Sequence, residues 1–384
     1  VTSSLNDAAE RLKTAVAPVD VKSVGASRWQ RMAVTSASSI FAVLFALAVC
    51  AVILLITGKN PLTAYSTLFG AVTETRVLQD AVQRAIPLFI SAAAVAIGFK
   101  MNLFNIGVEG QMRVSLLSTA VVGGLVTLPA PLHVLFCLLV AMATGAAWAG
   151  IAAYLKVKRG VNEVIATIML NFIALALVAW LLDDYFRDTS NSQGVLIKTE
   201  ELPRSAWIPD IVDGRVSGVL VIAAVVLFAM WVLVWKTKFG FRLRASGANP
   251  GAARATGVNP NRMIALSLFI SGALAGLVGM RHLLGEDHAY ENNQAEQSGF
   301  NGISVALLGR NHPLGIVFSG LLFGFLSAAS GKLQLKEIPK EIVTIMQGII
   351  VLAVVIINGA VARWDEQRIQ RKAALALERA GVDG

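Results

Sequence analysis

An all-α, polytopic membrane protein is the fold class this sequence predicts, and three observations predict it. Hydrophobic residues make up 55% of the 384 positions and charged residues only 15%, a balance no ordinary soluble domain shows. Apolar runs of about 20 residues recur along the chain, each long enough for a hydrocarbon core roughly 30 Å thick. Between the runs Gly218–Trp235 and Met263–Leu283, the loop 236–262 carries six Lys or Arg and no Asp or Glu. Loops so basic lie on the cytoplasmic side of a membrane.

Taken in order, the runs predict about ten crossings, at 33–57, 85–100, 111–128, 132–155, 162–182, 216–235, 263–283, 299–309, 313–330 and 342–360. The second is short and the eighth too short for an ordinary spanning helix. Both are expected to be broken or re-entrant, which a bilayer tolerates where protein or a cavity surrounds the backbone. Residues 1–32 are expected to form a cytoplasmic extension, 33–360 the membrane domain and 361–384 a cytoplasmic tail. The first 30 residues contain no apolar stretch of a cleavable signal. Arg28, Trp29 and Arg31 flank the first run as in an uncleaved anchor, and Ala8–Val16 reads equally well as an interfacial helix or a disordered tail.

Charge tests the count. With the N-terminus inside, Lys156–Arg159, the 236–262 loop, Arg310 and the basic tail after Arg363 all fall inside. The outer loops 183–215 and 284–298 hold the acidic residues, among them Asp183, Asp184, Glu200, Glu201, Glu286 and Asp287. Only Lys332, Lys336 and Lys340 run against the sign pattern. The net charge of +9 is thereby explained without nucleic acid, which is excluded as a partner. Gly272-x-x-x-Gly276 and Gly320-x-x-x-Gly324 each set small residues on one helix face, as close helix packing requires. A short echo, Glu163–Met169 against Glu341–Met346, sits at the start of two spans, a trace of the kind repeat-built transporters show.

The basic loop contains its own helix signals. Asn249 is a good N-cap and Pro250 suits the first helical position. Ala252, Ala253 and Ala255 propagate the turn, and Gly257 stops it in a left-handed cap. Some seven residues give a rod of roughly 10 Å with a small-residue surface able to press into a partner's groove. An ordinary basic loop with a chance cap is the other reading.

Chemistry is sparse. His133, His282, His288 and His312 lack ligand spacing, Cys50 and Cys137 lie inside apolar runs, and no metalloprotease or nucleophile-elbow motif occurs. The phosphate-cradling G-x-x-x-x-G-K-[ST] pattern is missing too, so no cofactor, metal or ATP hydrolysis is expected of this chain. Polar residues at membrane depth carry more information, because lipid makes them expensive. Asn102, Asn105, Glu109 and Gln111 break the pattern between the second and third runs, Asn171 lies mid-span in the fifth, and Gln347 lies in the tenth. Such residues either line a polar solute's route or cap and tie helices. A secondary transporter would require a coupling carboxylate with an acidic partner, and Glu109 has none in its segment. An intramembrane enzyme would require a nucleophile–base or metal set.

Four strings narrow the choice: Phe104–Gln111 (FNIGVEGQ), Gly160–Asn171 (GVNEVIATIMLN), Gly240–Arg254 (GFRLRASGANPGAAR) and Phe300–Gly309 (FNGISVALLG). Over roughly residues 85 to 360 the chain resembles permease subunits of ABC importers, in the branch that serves ribose-type sugars and branched-chain amino acids, and most closely its nucleoside-import members. The resemblance implies alternating access powered by a separate ABC ATPase, an external substrate-binding protein, and a second permease subunit, different from this one more often than identical. It also implies that 249–256 is a coupling helix docking on the ATPase, with Gly240, Arg242, Arg244 and Gly247 shaping its approach and Asn249, Pro250, Ala252, Ala253, Arg254 and Gly257 forming it. Sugar or branched-chain amino acid import is the alternative within the class.

Overall fold

The computed structural model describes residues 28–189, 197–212, 214–291 and 297–379. The segment Ala8–Val16 therefore lies outside the described residues. The chain forms two compact units, one of residues 59–347 and one uniting the first 58 residues with those from 348 onward.

In the larger unit, α2 (Pro61–Ala71) is followed by α3 (Thr75–Lys100), α4 (Val108–Gly124), α5 (Ala130–Arg159) and α6 (Glu163–Leu181). Then come α7 (Val219–Trp231), α8 (Lys238–Ala248), α9 (Pro250–Ala255), α10 (Pro260–Gly276), α11 (Met280–Gly285), α12 (Ser298–Leu308) and α13 (Pro313–Gln334). In the smaller unit, α1 (Arg28–Ile56) and the distal part of α14 (Lys340–Arg379) line a common apolar groove with Phe45, Val49, Ile349, Leu352 and Ile356. Among the described residues the only strands are β1 (Asp210–Val212) and β2 (Val216–Ser217), an antiparallel pair.

The all-α, polytopic class stands. Among the described residues, seven helical stretches are long and apolar enough to cross a membrane: Thr75–Lys100, Ala130–Arg159, Glu163–Phe186, Val219–Lys236, Pro260–Gly285, Pro313–Gln334 and Lys340–Val361. Val43–Ile56 and Ser298–Leu308 are shorter apolar helices. The run read at 111–128 is the 17-residue α4, which carries Glu109 and Arg113 in its first turns. Helix α2 was not legible as a crossing because it has only 11 residues; Asn60 caps it by accepting from the Leu62 N–H at 2.9 Å. The expected division at 360/361 falls inside α14, which runs unbroken to Arg379.

Helix α3 forms the centre of the larger unit, with every residue from Ala85 to Gly98 buried. Both small-residue motifs do pack helices. A side chain at Gly272 or Gly276 would run into the Gly145 and Ala141 carbonyls of α5, and one at Gly324 into the Ala81 carbonyl of α3. Close backbone contact here lets dispersion replace the hydrophobic drive that lipid removes.

The two acidic segments that charge placed outside meet each other. The Thr199 N–H donates to the Tyr290 carbonyl at 3.0 Å, Leu202 to His288 at 2.8 Å and Ile208 to Leu284 at 2.7 Å. Trp207 stacks on His288 with ring centroids 3.8 Å apart. Burial holds the His288 imidazole below its ordinary value, against the pull of Glu201, Asp287 and Asp210. His282, Glu286 and Asp287 converge within 4.8 Å, a grouping the histidine spacing did not reveal. Arg281 stands 2.7 Å from Glu286, so a guanidinium already supplies the positive charge there.

Candidate functional site

The site is built on the break between α3 and α4. Helix α3 ends where the Met101 and Leu103 N–H groups both donate to the Gly98 carbonyl, at 2.9 and 3.0 Å. Asn102 takes a left-handed conformation (φ 59°), a role short polar side chains tolerate. It is exposed and serves as the turn residue that ends α3.

Beyond it the chain turns back into the protein. Asn105 is 1% exposed. Its amide donates to Gln111 Oε1 at 3.1 Å and to Ser271 Oγ at 2.8 Å, while its oxygen accepts from Gln111 Nε2 at 3.1 Å and from the Gly107 N–H at 3.0 Å. Ser271 in turn donates to the Ala94 carbonyl at 2.7 Å. Asn105 and Gln111 thus form a reciprocal amide pair that pins the break between α3 and α10. A Cβ at Gly107 would sit 2.8 Å from Gln111 Nε2 and 3.0 Å from Asn105 Oδ1, so a side chain there would push on the amide pair.

Asn171 holds the break from α6. It donates to the Ile106 carbonyl at 2.8 Å and accepts from the Gly110 N–H at 2.9 Å. A mid-span asparagine thereby satisfies one of the orphan donors that open α4. Glu109 does the equivalent for a different helix. Its Oε2 accepts from the Gly299 N–H at 2.9 Å and its Oε1 from the Gln297 N–H at 3.3 Å, so the carboxylate caps α12, whose own N-cap residue, Gln297, makes no side-chain cap bond. Arg113, one turn on, stands 3.2 Å away by Nε and neutralises it. Both members of this ion pair are buried.

A cavity of about 330 Å³ opens beside this arrangement, lined by Glu109, Arg113, Asn171, Gln297, Phe172 and Phe300 among others. Of the six polar residues expected along a route, only Glu109 and Asn171 line it. Asn102 is a turn residue, Asn105 and Gln111 spend their amides on one another, and Gln347 ties α14 to the Phe323 carbonyl of α13 at 3.1 Å. Arg113, Phe172 and Phe300 were missed. Arg113 had a readable signal in its i+4 spacing from Glu109; the two phenylalanines had none.

The basic loop folds into α8 and α9. Thr237 caps α8 by accepting from the Gly240 N–H at 3.0 Å. Gly240 lies so close to the Leu233 and Val234 carbonyls that no side chain fits, and Arg244 donates to Val234. Asn249 caps α9 by accepting from the Ala252 N–H at 3.0 Å, Pro250 is the first helical residue, and Gly257 (φ 80°) ends it while the Val258 N–H returns to the Ala253 carbonyl at 3.0 Å. The sequence reading sets Ala252 and Ala253 together on the docking face, but Ala253 is buried against the chain itself, so the exposed small face consists of Gly251, Ala252 and Ala255, with Arg242 and Arg254 exposed as well. Gly247 meets the end of α3 directly: a Cβ there would collide with the Lys100 carbonyl and stand 2.9 Å from the Met101 Cα. The basic loop and the cavity are thus two ends of one stretch of packed backbone.

The chain is similar over most of its length to known membrane permeases. The guanosine ABC transporter permease protein NupP of Bacillus subtilis is 34% identical, over 82% of this chain and 91% of the relative. The nucleoside ABC transporter permease protein NupB of Lactococcus lactis is 32% identical, over 83% and 90%. The glucose ABC transporter permease protein TsgB13 of Haloferax volcanii is 31% identical, over 82% and 85%. The family described as branched-chain amino acid transport system / permease component matches residues 77–355, and the chain belongs to that family of membrane permeases.

Proposed function

We propose that this chain is the permease subunit of an ATP-driven, binding-protein-dependent nucleoside importer, supplying half of the translocation pathway. The observation that carries the mechanism is the seating of Gly247 on Lys100 and Met101. It seats α8, which leads directly into the exposed small-residue helix α9, on the broken segment that shapes the cavity. Docking of α9 in a groove of a separate ATPase, by the helix-in-groove mode, would pass nucleotide-driven closure to the break. Gly240, Arg244, Asn249, Pro250 and Gly257 build that element, and Arg242 and Arg254 sit on its exposed side. Glu109 and Asn171 border the solute's path, while Asn102, Asn105, Gln111 and Gln347 hold its frame.

The remaining architecture follows. Taken with α1, α4 and the short α12, the seven long spans would make ten membrane segments, and the loop charges favour both termini in the cytoplasm, with residues 1–32 and 361–384 as cytoplasmic extensions. The hydrogen bonds between 199–208 and 284–290 join the two acidic segments, and their charge supports the reading that this shared face is the outer one that would receive the binding protein. Single cysteines replacing Glu200 and Ala248, both exposed, in a background lacking Cys50 and Cys137, test this. An impermeant thiol reagent is expected to label intact cells at 200 and not at 248; the reverse pattern would invert the topology.

The nucleoside assignment rests on the names of the relatives NupP and NupB, and a heterodimer on the family resemblance, which implies a second permease different from this one. TsgB13 favours sugar import as the second reading. Deleting the chain from its native cell is expected to abolish uptake of radiolabelled guanosine, to spare glucose uptake, and to remove a flux that survives a protonophore while ATP lasts. Loss of glucose uptake alone would transfer the assignment to sugars. A flux abolished by the protonophore at constant ATP would mean ion-coupled transport.

A further inference from the structure

The cavity beside the break has a composition that selects among solutes. Among the described residues its charged lining consists of one carboxylate and one guanidinium, Glu109 and Arg113, paired at 3.2 Å and buried. This described lining offers no net charge to a ligand. Two phenylalanines from different elements, Phe172 of α6 and Phe300 of α12, add flat apolar surface, with Ile168 and Leu175 beside them. About 330 Å³ is near the lower end of the roughly 300–1,000 Å³ range of small-molecule pockets. Polar anchoring is limited but present. A carboxylate has about four acceptor positions; among the described residues the Arg113 Nε and the Gln297 and Gly299 N–H groups take three on Glu109, which leaves one for a solute hydroxyl.

We infer that Phe172 and Phe300 form a stacking subsite for the planar base of a neutral nucleoside, with the Glu109–Arg113 pair facing its hydroxyl-bearing sugar. The inference rests on the nucleoside reading above and adds the residues that discriminate within it. An anionic solute such as a nucleotide meets a guanidinium already neutralised by Glu109 and has nothing to offset its lost hydration. A free sugar fills less of the cavity and gives the rings no aromatic face. A base does, and stacking on an aromatic side chain is sequence-tolerant because every base has a π-face. Purines stack over more area than pyrimidines, so the two rings favour purine nucleosides.

The test uses the complete importer in cells, with Phe172→Ala, Phe300→Ala and the conservative Phe172→Tyr, and compares initial rates for radiolabelled guanosine and uridine. The binding protein is the same in every strain, so a change in the ratio of the two rates belongs to the permease. Each alanine variant is expected to lower guanosine uptake about tenfold, to lower uridine uptake less, and to reach the membrane at wild-type level; the tyrosine variant keeps the wild-type ratio. An unchanged ratio in both alanine variants would overturn the subsite. So would an equal loss of both nucleosides together with poor recovery of the second permease, which would make these rings a subunit interface. Absence of guanosine and uridine uptake in the wild-type strain is a different failure, because it removes the nucleoside reading itself.

Discussion

Glu109→Ala will destabilise the larger helical unit by about 3–5 kcal/mol, the cost of removing one partner from a buried ion pair. Two deficits combine. Arg113 loses the carboxylate paired with it at 3.2 Å in a buried position, and the Gln297 and Gly299 N–H groups lose the acceptor that opens α12. Glu109→Gln is expected to cost less, because an amide oxygen still accepts from one of those groups. The double variant Glu109→Ala, Arg113→Leu is expected to recover part of the loss, since a buried pair replaced by apolar groups is often tolerated. Thermal unfolding of the detergent-purified protein reads all three. A Glu109→Ala midpoint equal to wild type would show that α12 is held in place by its glycine packing alone.

Ala252→Trp will abolish ATP-driven uptake and co-purification of the ATPase while leaving the fold intact. Ala252 is exposed on α9, so an indole there displaces nothing within the chain but obstructs close seating against a partner, where packed interfaces have few voids. Ala253→Trp is the control. Ala253 is 3% exposed, so its indole must enter the chain's own packing and lower the yield of folded protein, as overpacking does. Normal uptake and normal ATPase recovery for Ala252→Trp would reduce α9 to a surface loop.

The contrast between these neighbouring alanines shows how far the sequence could be read. The existence of α9 was legible because capping is local: Asn249, Pro250 and Gly257 act within one turn of each other. Which alanine faces outward depends on where the rest of the chain lies, and eight residues do not encode that. The break at 101–107 was legible for a similar reason, since two amides, a carboxylate and glycines interrupt an apolar pattern. The use of those groups was not. Glu109 caps a helix some 190 positions later, Asn105 bonds Ser271 across 166 positions, and only tertiary structure brings such partners together. Polarity at membrane depth marked six residues as expensive but did not distinguish those that hold the frame from the two that border the cavity. Phe172 and Phe300 were lost among many apolar neighbours, where residue type carries no positional information.

The pairing of Glu109 with Arg113 on one helix, four residues apart, has an electrical consequence. When α4 moves, both charges move together, so their displacement contributes no net gating charge. Each elementary charge crossing the full membrane field would exchange about 2.3 kcal/mol per 100 mV. A neutral nucleoside passing a neutral pair exchanges none of it. The resting potential would then neither assist nor resist the movement of this pair, and in the importer proposed above the drive for it would come from the ATPase.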